Sequence, residues 1–194
     1  MKVDDTQMIA KWETLDSNFL GNYKVFDLYR KTRKHPKTRK VGDFTALVAT
    51  DWVNIIPITV EQEIVLVEQY RHGIDAITLE IPAGIMEANE NPKAAAEREC
   101  IEETGYIGKS EAILLGKSRS NPAFLNNYCY HYLWLDCELK QEQHLDENED
   151  IRIVKIPLSA IKNYIAENKI EHSLAISAFY HFFNRQSLAA TSAG

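Results

Sequence analysis

Short apolar and β-branched runs alternate with turn-like pieces over residues 8–50. Phe19-Leu20 precedes Gly21-Asn22, and residues 23–29 alternate as a half-buried strand does. Residues 30–40 are basic and contain Pro36, which reads as a solvated hairpin tip or as a stretch serving substrate phosphates. Two strands are predicted over 52–60 and 64–70, separated by Glu61-Gln62-Glu63, and a further one over 77–81. That strand stops at Pro82, which lacks the N–H to extend a ladder. Asn91 is a good helix N-cap, Pro92 suits the first helical position, and the pattern carries a helix to Thr104. Gly105 stands where a left-handed C-terminal residue is wanted. Strands are then expected over 107–116, 128–139 and 151–156, an acidic irregular loop over 141–150, and helices over 158–167 and 172–183. Small polar residues at 187–194 predict a flexible tail. One helix embedded among strands, with helices late, gives an α+β or mixed α/β class.

A chain of 194 residues, 45% hydrophobic and 26% charged, holds one ordinary domain plus an extension. Its formal charge of −6 argues against a long nucleic acid as partner, although a small anion remains suitable if metal ions supply positive charge. Cys100, Cys129 and Cys137 form no Cys-x-x-Cys unit and cannot all pair, which points to three core residues in a reducing, cytoplasmic compartment. The charged N-terminus has no signal-peptide character, and no apolar run is long enough to span a bilayer.

The densest chemistry lies between Gly84 and Tyr106. At about 100° per residue, Glu99, Glu102 and Glu103 share roughly one 100° arc of a helix, with Ala94 and Ile101 nearly opposite as an apolar docking side. Like charges on one arc repel, so helix stability gives no reason to collect them. Hard divalent cations do. Magnesium takes oxygen ligands, keeps waters and bridges substrate phosphates.

Gly84, Glu90, Arg98, Glu99, Glu102, Glu103 and Gly105, at this spacing, resemble a complete Nudix box. The resemblance implies an α/β/α sandwich of mixed sheet and flanking helices, preceded over residues 1–45 by a β-rich dimer-forming segment, with the hydrolase domain at 46–186. It implies Mg2+, or Mn2+ in its place, held by Glu99, Glu103 and the Ala83 carbonyl, with Glu102 assisting and Arg98 and Glu90 orienting the carboxylates. Flanking segments are similar to the ADP-ribose pyrophosphatase branch: Val67-Glu68-Gln69-Tyr70-Arg71, Leu79-Glu80-Ile81-Pro82-Ala83-Gly84, Pro122 as a marker proline, and Asp146 to Arg152 as an acidic loop closing over substrate.

The implied activity is hydrolysis of the pyrophosphate of a nucleoside diphosphate sugar, ADP-ribose first, giving a nucleoside monophosphate and a sugar phosphate. The implied catalytic set is Glu147 as general base, Glu102 and Arg98, with Glu149 as a further metal contact. A box glutamate is the other candidate base. Arg71 reads either as a phosphate clamp or as a strand-end ion-pair partner. Glu80 correspondingly either ligates or positions substrate, or pairs with Arg71. Trp12, Tyr23, Phe26 and Phe44 read as core or dimer-interface aromatics, one of them available to stack on a base. Asn126 and Asn127 stand near where many ADP-ribose enzymes carry an acidic residue, which favours a broader range including ADP- or GDP-hexoses. A non-catalytic nucleotide-sensing module is the alternative from another class, and it would be expected to have lost these carboxylates.

Overall fold

The computed structural model describes residues 9–192, with side chains described as far as 185. The chain forms two compact units: one runs to Ala49 and takes in Asn121–Asn126, the other comprises Thr50–Ser120 and the chain from Asn127 onward. The division expected at 45/46 thus lies a few residues short of the one seen, and Asn121–Asn126 group with the N-terminal strands.

The first unit is an antiparallel meander of β1 (Glu13–Asn22), β2 (Asp27–Lys34) and β3 (Val41–Val48). The strand expected over 23–29 begins only at Asp27. Before it, residues 23–26 turn, with Lys24 left-handed at φ 63° and the Tyr23 N–H donating to Phe26 O at 2.9 Å. The basic stretch 30–40 is strand as far as Lys34. Its tip is organised by His35, whose Nδ1 accepts from the N–H groups of Lys37 and Thr38 at 3.1 and 3.2 Å. Trp12 packs edge-on to Phe44 at 5.3 Å. The Asn121–Asn126 segment joins this unit through Leu47 N–H to Phe124 O (2.7 Å) and Ala49 N–H to the Asn126 side chain (2.8 Å).

The second unit is a mixed eight-stranded sheet. Its strands are β4 (Trp52–Thr59), β5 (Glu63–Arg71), β6 (Ala76–Glu80), β7 (Ala83–Ile85), β8 (Tyr106–Ile107), β9 (Ile113–Ser118), β10 (Cys129–Leu139) and β11 (Ile151–Pro157). β4 and β10 run parallel; the other pairings are antiparallel. Strand alternation sorts β4 between two cores. Val53 and Ile55 meet Ala95, Ala96 and Cys100 of α1 (Pro92–Thr104). Ile56 and Ile58 meet Ile161 of α2 (Ile161–Ala166) and Ala175, Ala178 and Phe179 of α3 (Ser173–Ser192). Helices therefore cover both faces, the α/β/α sandwich expected.

Local differences have local causes. The strand expected over 107–116 is split into β8 and β9 because Gly108 lies against the Trp134 indole, whose N–H donates to Ser110 O. A short 3-10 turn, Leu158–Ala160, precedes α2. α3 runs as helix to Ser192, through part of the tail expected at 187–194; residues 193–194 lie outside those described. All three cysteines are free and buried. Among the described residues no helix is long and apolar enough to cross a membrane.

Candidate active site

The carboxylate helix begins and ends as its sequence dictates. Asn91 Oδ1 accepts the Lys93 N–H at 2.9 Å, and Gly105 closes the last turn at φ 71° with its N–H on Ile101 O. The buried side is Ala95, Ala96 and Cys100, whereas Ala94, expected on the docking side, is exposed and Ile101 only partly buried. The docking stripe is thus rotated from the one expected, and Glu103 shares its edge: Glu103 is 3% exposed.

Arg98 organises the rest. Its Nε and Nη2 grip both oxygens of Glu90 at 2.9 and 3.0 Å, and its Nη1 donates to Glu99 Oε1 and Glu102 Oε2, each at 2.9 Å. The bidentate pair lowers the Glu90 carboxyl from its ordinary value, while Glu90 Oε2 also accepts the Glu87 N–H at 2.9 Å. Loop and helix are thereby tied together.

Glu99 lies so close to Gly84 that any Cβ at position 84 would overlap its carboxylate. Glycine is required there by contact, since its φ is not left-handed. Burial pushes the Glu99 carboxyl up to about 7 against the pull of Arg98, with the charges of Glu102 and Glu149 adding to the rise. Glu103 is raised well above its ordinary value, first by burial, while the Ala83 N–H donates to its Oε2 at 3.0 Å and partly opposes the rise.

These groups line a cleft of about 470 Å³ together with Arg71, Gln69, Glu102, His144, Asp146 and Glu149. Among the sequence candidates, Ala83, Glu99, Glu102, Glu103, Arg98, Arg71 and Glu149 therefore come together. Glu80 is 1% exposed, held by Arg71 through bonds of 2.8 and 2.9 Å, so of its two readings the ion pair is the one formed. Glu147 is exposed and outside the lining, although its loop neighbours Asp146 and Glu149 belong to it. Pro122 is exposed and belongs to the other unit.

Sequence reasoning singled out neither Gln69 nor His144 as a site residue, and took Asp146 only as the start of the acidic loop. Gln69 was legible as the residue two before Arg71, on the same strand face. Its carboxamide nitrogen is buried without a partner. His144 was not legible: its N–H donates to Glu102 O at 2.8 Å, beside Gln143, whose side chain ties the loop to Glu103 O (2.6 Å) and Ile151 O (3.2 Å), contacts that depend on the tertiary fold.

An all-oxygen donor set of Glu99, Glu103 and Glu149 fits a hard divalent cation, and its raised carboxyls would be relieved by one. Among the described residues, no three His, Cys, Asp or Glu side chains converge tightly enough to enclose an ion as they stand. Glu99 Oε1 and Glu102 Oε2 accept from Arg98 Nη1, and neither bond uses the second oxygen of its carboxylate.

A NUDIX domain model matches residues 50–175. The chain is 34% identical over 137 residues to a methanol dehydrogenase activator of Bacillus methanolicus, covering 70% of this chain and 74% of that protein. It is 26% identical over 191 residues to an ADP-ribose pyrophosphatase of Bacillus subtilis (strain 168), covering 98% and 99%. Among solved structures, that of an ADP compounds hydrolase superposes with a TM-score of 0.81 at 20% identity, over 95% of this chain and 98% of the other.

Proposed function

The chain belongs to the Nudix family, and from that membership we propose that it is a pyrophosphohydrolase cleaving ADP-ribose and related nucleoside diphosphate sugars to a nucleoside monophosphate and a sugar phosphate. The observation that carries this reading is that the carboxylates Glu99 and Glu103 and the guanidinium of Arg71 line one cleft. Near full-length similarity to an ADP-ribose pyrophosphatase supports ADP-ribose as the first substrate.

Glu99, Glu103, Glu149 and the Ala83 carbonyl would hold magnesium, with manganese as a substitute. The ion would supply positive charge against the diphosphate and lower the pKa of the attacking water. Arg71 contributes a planar pair of donors for a phosphate oxygen. Arg98 keeps Glu99 and Glu102 aimed at the cleft, and Glu102 assists through its place in that network. Glu147, on the loop that also carries Asp146 and Glu149, takes the proton from water as general base. Exposed Leu15, Phe19, Val41 and Phe44 on the N-terminal strands support assembly as a homodimer, and three buried free cysteines support residence in the cytoplasm.

The test is a panel of ADP-ribose, ADP-glucose, GDP-mannose and FAD with magnesium, reading phosphate released after added phosphatase, and repeated with chelator. Turnover of ADP-ribose that chelator abolishes is expected. No turnover of any member with magnesium or manganese would favour a nucleotide-sensing module instead.

A further inference from the structure

Glu80 is buried at the end of β6, and three side chains converge on its two oxygens. Oε1 accepts from Arg71 Nε at 2.8 Å and from the Thr78 hydroxyl at 2.6 Å. Oε2 accepts from Arg71 Nη2 at 2.9 Å and has His172 Nδ1 at 3.3 Å. β5 supplies Arg71, β6 supplies Thr78, and His172 comes from the chain entering α3, where its carbonyl accepts the Ile176 N–H at 3.0 Å.

Arg71 spans both oxygens of Glu80, and Thr78 on Oε1 with His172 beside Oε2 gives each oxygen a second partner, so the carboxylate is kept from swinging out of the guanidinium plane. The guanidinium bonded to it is fixed with it. Neither bond from Arg71 to Glu80 uses Nη1, and Arg71 lines the cleft with its side chain 39% exposed. The Nε–Nη2 edge is therefore committed to the interior. His172 is itself well anchored: two residues on, Leu174 O accepts from Asn54 Nδ2 at 3.1 Å, and Asn54 is buried in β4.

We propose that His172 is a positioning residue for Arg71: by holding Glu80 Oε2 it fixes the guanidinium that faces the cleft, so the start of α3 governs how firmly the chain grips an anionic diphosphate. The inference rests on the reading of Arg71 as a phosphate clamp.

Steady-state kinetics with ADP-ribose and magnesium, together with urea denaturation, would be run on wild type, His172→Ala, His172→Asn, Arg71→Ala and the Arg71→Ala/His172→Ala double variant. His172→Ala should raise KM about tenfold while kcat changes little, the worth of one contact to a charged group. His172→Asn, whose Nδ2 can occupy the Nδ1 position, should recover most of that loss. In the Arg71→Ala background, His172→Ala should add almost nothing. An undiminished loss in that background, or a loss that asparagine does not repair, would overturn the inference. So would an Arg71→Ala variant with wild-type KM, because there would then be no clamp to position. The urea cycle separates this from the activity itself. Non-additive stabilities at positions 71 and 172 support the cradle even if no sugar nucleotide is cleaved, and additive ones refute it even in an active enzyme.

Discussion

Gly84→Ala isolates the chemistry of the site from the stability of the fold. Alanine is acceptable to the backbone at position 84, whose φ is not left-handed, so the only consequence is the new methyl group. That methyl would overlap the carboxyl carbon and both oxygens of Glu99. Glu99 is the end of a flexible side chain, so it yields, retreating by roughly 1 Å or more to reach ordinary contact. A displacement of that size at a reacting centre costs about 100-fold in turnover. The stability cost is smaller by comparison. Moving Glu99 forfeits its 2.9 Å bond to Arg98, while Arg98 keeps its grip on Glu90. The loss is about 1 kcal/mol, or roughly 2–4 °C in melting temperature for a chain of this size. Gly73→Ala is the control, because nothing lies within 4 Å of a Cβ there, and it should leave both readings unchanged. The assay is kcat for ADP-ribose hydrolysis under saturating magnesium, with melting temperature measured on the same preparations. A folded Gly84→Ala enzyme turning over within about threefold of wild type would refute the argument, because Glu99 could then be displaced without loss.

Glu103→Gln should lose most catalysis yet keep its fold, since glutamine can still accept the Ala83 N–H; unchanged kcat would remove Glu103 from the metal site. Glu147→Gln should cut turnover with metal affinity nearly intact, and a rate close to wild type in the same assay would return the base role to the box glutamates. Gly105→Ala should destabilise by about 2 kcal/mol or more, since it forces a left-handed alanine whose Cβ meets the Gln141 carbonyl; a urea midpoint equal to wild type would contradict that. His131 is pushed down to about 4, first by burial and then by the nearby His181. A histidine depressed in the fold contributes stability that is complete above its unfolded pKa of about 6.5 and lost as pH falls toward 4, up to about 3 kcal/mol. An NMR titration of the His131 ring showing a midpoint near 6.5 would refute this.

What was legible in the chain and what was not divides along physical lines. The limits of α1 could be read directly, because Asn91, Pro92 and Gly105 act through local backbone geometry and need no partner from elsewhere. The rotation of its buried stripe could not: whether Ala94 or Ala95 faces the sheet depends on how β4 and β10 meet the helix, a contact between residues distant in sequence. The same holds within the site. Spacing alone brought Glu99, Glu102 and Glu103 to one side, and a resemblance supplied Gly84 as a fixed position. Only the structure gives the reason for that glycine, which is the closeness of a carboxylate fifteen residues further on. Arg71 and Glu80 were left between two readings because each residue type suits either role. The two bonds between them decide for pairing, and pairing does not remove Arg71 from the cleft. An arginine whose inner edge is held by a buried carboxylate presents its remaining donors more rigidly than a free one would. The ion pair is thus compatible with the proposed phosphate clamp rather than an alternative to it, and His172, remote in sequence, touches the same carboxylate.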